Sequence, residues 1–314
     1  MRQTSSSNQS ASIITNGKRK VALGASDRKL GMIMVTPILI FMLALVGFPL
    51  VNLLVLSTQK VNFLTKESAF IGLGNFANIL RGTFFWESLW KTIVWTIGSL
   101  IPSSILGTLI ALILNKEFKG RSFVRAFLIF PYLVPTVVVA AIFKYMFNDL
   151  IGIINHLLIK IGLLTNPINI FGSPQWAMLG VIVVSIWKFT PMIMIAVLGK
   201  LQTIPSQLYD AAKIDGCNGW QSFWHITYPF IASVLMVVML IRSIWLFNKW
   251  DMIFLLTGGG PLDKTATLPL LLYNEAFCSY NLGRASAVGV IMFLLLILLS
   301  KGYFKLYEKA QERV

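Results

Sequence analysis

Six long apolar segments constrain the fold of this 314-residue chain more than any other feature of its sequence. The hydrocarbon core of a bilayer is about 30 Å thick, so a helix needs about 20 apolar residues to cross it. The segments are residues 31–57, 90–114, 123–147, 176–199, 230–256 and 286–307. Each should be helical, because lipid offers no hydrogen-bond partner to an unpaired backbone group. The sequence therefore predicts an all-α integral membrane protein with six transmembrane helices.

The charged residues support a membrane protein. Only 12% of the residues are charged, whereas soluble domains carry about 25%. The formal net charge is +15, from 27 Lys and Arg against 12 Asp and Glu. A basic surplus can indicate nucleic-acid binding, but here the basic residues lie between apolar segments, where they set membrane topology. We therefore expect membrane lipid as a partner and no nucleic acid.

The distribution of Lys and Arg predicts the orientation. They concentrate in residues 1–30, 115–125 and 301–314. In a six-span chain these regions share one side, which the positive-inside rule makes cytoplasmic. Both termini and the loop between spans four and five are then predicted to be cytoplasmic.

Three regions follow from the composition. Residues 1–30 are rich in Ser, Asn and Gln and lack apolar content, so they are predicted to form a flexible cytoplasmic tail. Residues 31–307 are predicted to form the transmembrane domain, and residues 308–314 a cytoplasmic C-terminal end. Prolines interrupt four spans, which suits an internal path, although membrane helices also tolerate proline without any functional reason. These prolines are Pro37, Pro49, Pro102, Pro131, Pro135 and Pro191.

Motifs for nucleotides, metals and covalent catalysis are absent from the sequence. It contains no GxxxxGK[ST], HExxH, CxxC or GxSxG, so we expect no cofactor and no metal on this chain, and no enzyme activity. An ion-coupled secondary carrier would need carboxylates inside the membrane, and Asp251 is the only acid within a predicted span. A polytopic membrane enzyme is a less favoured alternative. The remaining interpretation is a pore-forming subunit whose energy comes from another chain.

The loop LYDAAKIDGCNGWQSFWHITYP (208–229) has mixed polarity and lies between two apolar spans. Pro205 and Ser206 are typical helix-start residues, and Gly216 is a typical stop. Helical spacing predicts one apolar face, made by Leu201, Ile204, Leu208 and Ala211. A second short helix should follow, with aromatic residues at the membrane interface. A plain amphipathic connector is the alternative to a functional role.

The spacing of this loop resembles a known family. Asp210-Ala211-Ala212, three residues, Gly216, nine residues, Ile226, one residue and Tyr228-Pro229 are similar to the EAA loop of ABC importer permeases, EAA-x3-G-x9-I-x-L-P. Asp210 replaces the Glu of that pattern and Tyr228 replaces its Leu.

The resemblance implies the ABC importer permease fold, with a cytoplasmic coupling helix in the EAA loop at about 205–229. It also implies that an ATPase subunit contacts Asp210, Ala211, Ala212 and Gly216. The implied partners are a second homologous permease, two cytoplasmic ATPases that hold ATP and Mg, and an extracytoplasmic solute-binding protein. The implied location is the bacterial inner membrane.

Three further stretches narrow the resemblance to carbohydrate importers. They are FIGLGNF (70–76), WKFTPMIMIAVLGKLQTIP (187–205) and FNKWDMIFLLTGGGPLDKTATLPLLLYNEAF (247–277). They resemble the first of the two permeases in maltose and glycerol-3-phosphate uptake systems. The family uses the outer face to meet the solute-binding protein, which implies docking at Gly258, Gly259, Gly260 and Pro261. A flexible turn is the alternative for this loop.

Polar and aromatic residues within the spans are candidates for the substrate path. They are Tyr145, Asn148, Trp187, Lys188, Arg242, Asn248 and Asp251. A charge at bilayer depth is costly, so Lys188 and Arg242 should face protein or water. Two such cations suggest an anionic sugar, although either one could instead donate to backbone carbonyls or contact a neighbouring subunit. Asp251 could likewise cap the outer end of its span.

Overall fold

The computed structural model describes residues 25–61 and 68–311. The chain divides into two compact units, residues 1–51 and 52–314. Helix α1 spans Ala25–Met42, and a π-helical turn, Leu43–Gly47, joins it to α2, Phe48–Ser57. The large apolar side chains of residues 30–48 are exposed, as suits a helix in lipid. The helix begins five residues before the predicted end of the tail at residue 30. Residues 1–24 and 312–314 lie outside the described residues.

The second unit is also mostly helical. Its elements are β1 (Gln59–Val61), β2 (Ser68–Phe70), α3 (Gly74–Arg81), α4 (Thr83–Asn115), α5 (Arg121–Leu133), α6 (Thr136–Met146), α7 (Ile153–Lys160), α8 (Ala177–Leu201), α9 (Ser206–Ile214), α10 (Gly219–Ser222), a π-helical turn (Phe223–Thr227), α11 (Tyr228–Phe247), α12 (Asp251–Thr257), α13 (Leu268–Tyr273), a second π-helical turn (Asn274–Cys278) and α14 (Leu282–Gln311). The strands form one antiparallel hairpin in which Lys60 pairs with Ala69. Only helices were predicted from the sequence, because three-residue strands leave no periodic signal.

The prediction of an all-helical membrane fold is confirmed. Within the described residues, five helices are long and apolar enough to cross a membrane. They are Lys29–Ser57, Thr83–Asn115, Ala177–Leu201, Gly219–Phe247 and Leu282–Lys305. A sixth span is possible only as the pair α5 and α6, which meet at a bend of 96°. Val134 adopts an extended conformation there, because the residue before a proline avoids the helical region.

The predicted fifth span was wrong at its outer end. Helix α11 ends at Phe247, and α12 begins separately at Asp251. Asp251 therefore lies beyond the spanning helix, in the first turn of a short one. The apolar run 252–256 extended the hydropathy signal past the true end of the helix.

Helices α4 and α8 form the central contact of the second unit. Small residues on α4 allow close approach, as is common between membrane helices. A Cβ at Gly107 would lie 3.0 Å from the Cβ of Ile193, and one at Gly98 would lie 2.9 Å from Cδ1 of Ile182. Trp95 is fully buried and donates its indole N–H to the carbonyl of Leu246 at 3.0 Å. This bond fixes α4 against α11 as well.

Candidate functional site

The segment between α8 and α11 contains the clearest local motif of the chain. Helix α9 begins after Pro205 and ends in a Schellman motif at Gly216, whose φ is 79°. The amide of Cys217 donates to Ala212 O at 2.8 Å, and that of Gly216 donates to Lys213 O at 3.1 Å. The predicted helix start and stop are therefore both present.

A second helix returns the chain to the membrane span. The side chain of Asn218 accepts from the amide of Gln221 at 2.9 Å, and Gln221 accepts from the amide of Asn218 at 2.8 Å. This capping box starts α10, as a reciprocal pair of this kind does generally. The hydroxyl groups of Tyr209 and Thr227 lie 3.0 Å apart and form a hydrogen bond. The two arms of the loop are thus tied together.

The orientation of α9 differs from the predicted apolar face. Leu201 and Ile204 are buried as expected, but Leu208 and Ala211 are exposed. Ala212 is the inward residue of the helix, with 7% of its surface exposed. The bond from Tyr209 to Thr227 explains this rotation, since residue 212 lies one turn after 209 on the same side.

The outward face of α9 carries the other motif residues. Asp210 is exposed and forms an ion pair with Lys213 at 3.1 Å, and Ala211 lies beside it. Ile214 is 87% exposed on the last turn. An apolar side chain so exposed, next to a small residue, is suited to contact another protein. Ile214 was not predicted from the sequence, because its position after Lys213 gave no sign of its exposure.

A cavity of about 430 Å³ lies between α8, the end of α11 and the start of α12. Its lining comprises Phe189, Arg242, Ile244, Trp245, Asn248, Lys249, Trp250 and Asp251. Three of the predicted path residues, Arg242, Asn248 and Asp251, therefore share one cavity. Lys249 forms an ion pair with Asp251 at 3.0 Å.

Three positively charged side chains surround the aromatic ring of Phe189. The guanidinium carbon of Arg242 lies 4.2 Å from its ring centroid. The ammonium nitrogens of Lys188 and Lys249 each lie 5.5 Å from the same centroid. Phe189 and Lys249 were not predicted from the sequence, because their proximity depends on the packing of α8 against α11.

Lys188 and Trp187 have different environments, although they are adjacent in sequence. The ammonium group of Lys188 donates to the carbonyl of Val134, at the break between α5 and α6. Trp187 lines a separate apolar cavity of about 600 Å³ between α4, α5 and α8. Its ring centroid lies 5.2 Å from that of Phe143. The structure does not bring Trp187 into the polar cavity.

Tyr145 and Asn148 also lie apart from the lining of the polar cavity. Tyr145 is 62% exposed near the end of α6. The side-chain oxygen of Asn148 accepts from the amides of Leu150 and Ile151, at 2.8 and 3.0 Å. Asn148 therefore organises the turn after α6, and its predicted role as a substrate contact remains a prediction.

The predicted docking loop has a fixed base and an exposed tip. Gly258 and Gly259 have φ values of 63° and 92°, which glycine adopts at little cost. Gly259 is buried, and a Cβ there would lie 2.6 Å from Cδ2 of Leu270. Thr265 donates to the carbonyl of Gly260 at 2.9 Å, and Pro261 follows it through a cis peptide bond. The exposed tip of the loop is formed by residues 262–264, which follow the predicted docking residues. Leu262 is 81% exposed.

Metal ligands do not cluster in the part of the chain that the structure describes. Across residues 25–61 and 68–311, no group of three or more His, Cys, Asp and Glu could hold a metal ion.

Comparison with known proteins identifies the family. The family model described as "Binding-protein-dependent transport system inner membrane component" matches residues 103–313, which include α9, the polar cavity and the glycine loop. The chain belongs to this family. It is therefore a membrane-embedded permease subunit of a binding-protein-dependent ABC importer.

Individual relatives agree with this assignment. The trehalose/maltose transport system permease protein MalF of Thermococcus litoralis is 34% identical over 282 residues, covering 89% of this chain and 94% of the relative. The sn-glycerol-3-phosphate transport system permease protein UgpA of Agrobacterium fabrum is 30% identical, covering 88% of this chain and 94% of the relative.

A solved structure supports the fold. A chain of a bacterial ABC transporter involved in the import of the acidic polysaccharide alginate superposes with a TM-score of 0.79 at 23% identity. The match covers 90% of this chain and 96% of that one. The importer permease fold predicted from the EAA spacing is thereby confirmed. The secondary carrier and the membrane enzyme are no longer supported.

Proposed function

We propose that this importer permease moves a sugar or oligosaccharide across the bacterial cytoplasmic membrane by alternating access. It would act with a second permease, two cytoplasmic ATPases and an extracytoplasmic solute-binding protein. The observation that carries the proposal is the geometry of α9, whose motif residues Asp210 and Ala211 are exposed while Ala212 fixes the helix to the membrane domain.

The coupling step follows from that geometry. The exposed face with Asp210, Ala211 and Ile214 would dock on an ATPase, which supplies ATP and Mg that this chain is not expected to bind. Closure of the ATPases would move α9. The bond from Tyr209 to Thr227 would transmit this movement to α11, which leads directly to the polar cavity.

The orientation is part of the proposal. Helix α9 lies before α11 in the chain, and the glycine loop lies after α11. If α11 spans the membrane, α9 and the glycine loop lie on opposite sides of it. The excess of Lys and Arg near α5 and at both termini favours the cytoplasm for α9. The glycine loop, with Leu262 at its tip, would then face the solute-binding protein.

A carbohydrate substrate is supported by relatives and by the cavity. The similar permeases named above belong to systems for trehalose and maltose and for glycerol-3-phosphate. The cavity combines the aromatic rings of Phe189, Trp245 and Trp250 with polar side chains. Binding sites for small molecules commonly combine apolar walls with a few polar groups that fix orientation.

A reconstituted complex tests this function. The permeases, ATPases and solute-binding protein would be placed in proteoliposomes, and ATP hydrolysis and uptake would be measured across a saccharide panel. We expect at least one saccharide to stimulate ATP hydrolysis and to enter the vesicles only when ATP is present. Stimulation by amino acids or peptides alone would contradict the carbohydrate assignment.

A further inference from the structure

The polar cavity holds more positive than negative charge. Arg242, Lys188 and Lys249 surround the ring of Phe189 at 4.2 to 5.5 Å. The only carboxylate among the lining residues is Asp251, and it is paired with Lys249. Two lining cations, Arg242 and Lys249, therefore face one acid, and Lys188 contacts the same ring. Like charges this close repel one another, and a bound anion would offset that repulsion.

Arg242 is the cation that most needs a partner. Only 2% of its surface is exposed, and its Nε atom is buried without a hydrogen bond. Its guanidinium carbon lies over the face of Phe189, and within residues 25–61 and 68–311 no carboxylate forms an ion pair with it. Charged side chains are almost never fully buried unless they are paired. A cation–π contact leaves the N–H edge of a guanidinium available.

The other two cations differ in how strongly they are engaged. Lys188 donates to the carbonyl of Val134, so it also fixes the break between α5 and α6. Lys249 is half-buried and held by a single carboxylate. An incoming anion could share Lys249 with Asp251, because an ammonium group has three donors.

From this geometry we propose that the cavity binds the anionic group of an acidic saccharide, through Arg242 and Lys249. The group would be a carboxylate, sulfonate or phosphate, all of which offer the paired oxygens that a guanidinium binds best. Trp245 and Trp250 would bound the sugar ring in the same cavity. This inference rests on the proposed carbohydrate function, and it specifies the class of substrate.

Matched neutral and acidic saccharides test the inference on the purified complex. Binding of maltotriose and trigalacturonate would be compared, and likewise glucose and glucose 6-phosphate, by calorimetry on the complex in nanodiscs. We expect an acidic probe to bind at least about tenfold more tightly than its neutral counterpart, since a hydrogen bond to a charged group is stronger than one between neutral groups.

Two variants test whether the preference for acidic saccharides arises in the cavity. Lys249→Gln should lower the affinity for the acidic probe about tenfold more than the affinity for its neutral counterpart. Lys160→Gln is the matched control, because Lys160 is exposed at the end of α7 and does not line the cavity. Arg242→Lys retains the charge but removes the planar fork, so it should weaken binding of the acidic probe without loss of assembly.

The outcomes separate this inference from the proposed function. Equal binding of neutral and acidic probes, or an unchanged preference in Lys249→Gln, would overturn the acidic inference and leave carbohydrate transport standing. Binding of none of the four saccharides would overturn the acidic inference, and the uptake panel would decide the carbohydrate function separately. If Arg242→Lys releases the second permease while the preference stays the same, Arg242 pairs with that subunit and the inference is wrong.

Discussion

The hydroxyl groups of Tyr209 and Thr227 lie 3.0 Å apart and join the outward helix α9 to the start of α11. Thr227 is buried and Tyr209 is half-buried, so the bond is partly shielded from water. It connects the part of the chain that would meet an ATPase to the helix that carries Arg242. We infer that movement of α9 is transmitted through this bond.

Tyr209→Phe should therefore reduce coupling more than assembly. It removes one hydrogen bond, which contributes about 0.5–1.5 kcal/mol, and leaves the ring in place. We expect fewer substrate molecules transported per ATP, measured in proteoliposomes, with unchanged copurification of the ATPases. Tyr228→Phe is the control, because within the described residues the hydroxyl of Tyr228 has no hydrogen-bond partner. If both variants transport the same number of substrate molecules per ATP, the Tyr209–Thr227 bond does not transmit the movement of α9.

Gly216→Ala should destabilise the end of α9. A Cβ at Gly216 meets nothing within 4 Å, but its φ of +79° is a left-handed conformation, which costs other residues about 1–2 kcal/mol. Gly219→Ala provides a matched control, since that position is equally open and has no positive φ. We expect weaker ATPase copurification for Gly216→Ala alone. Identical behaviour of the two variants would show that the Schellman motif is unimportant for docking.

Gly107→Ala should weaken the contact between α4 and α8. The new methyl group would lie 3.0 Å from Ile193 Cβ and 3.1 Å from the backbone nitrogen of Met194, and overpacking of this kind costs about 1–3 kcal/mol. Gly199→Ala, on α8, meets nothing within 4 Å and should be neutral or slightly stabilising. Thermal unfolding of the detergent-solubilised protein measures both. A midpoint for Gly107→Ala at or above that of Gly199→Ala would contradict the packing described here.

Lys188→Met should lower stability because the carbonyl of Val134 loses its donor. Leaving a partly buried carbonyl without a donor costs up to about 1–3 kcal/mol, and this one lies where α5 and α6 meet at 96°. Lys188→Arg keeps a donor and should restore most of the loss. The measurement is the midpoint of thermal unfolding, together with uptake. If Lys188→Met reduces uptake at full stability, then Lys188 acts on the substrate instead.

The sequence predicted the number of apolar segments and the prolines that could interrupt them, but not which proline breaks a helix or where α11 ends. Hydropathy measures apolar content, which continues through Val134-Pro135 and through residues 252–256. Whether a helix continues depends instead on the backbone conformation that each residue can adopt. Val134 is forced to be extended by Pro135, and α11 stops at Phe247 before the apolar run resumes at Met252.

In the candidate site too, some features could be predicted from the sequence and others could not. Spacing alone located α9 and its end at Gly216, because both depend on local conformational preferences. The direction of its faces depends on a bond to Thr227, eighteen residues further along the chain. The cation cluster needs Phe189 and Arg242 from two different helices. No sequence period relates them, so Phe189 and Lys249 could not be found before the fold was known.

Site-specific cross-linking from Ile214 tests the central claim most directly. Ile214→Cys would be introduced after Cys217 and Cys278, the two free cysteines, are changed to Ser, and a thiol-reactive photo-cross-linker would be attached. We predict a covalent product with an ATPase subunit in the assembled complex, at a yield that changes when ATP binds. The same probe on Leu150, which is also highly exposed but lies after α6, should give no ATPase product. An ATPase product from Leu150, or none from Ile214 in an active complex, would contradict the assignment of α9 as the coupling helix.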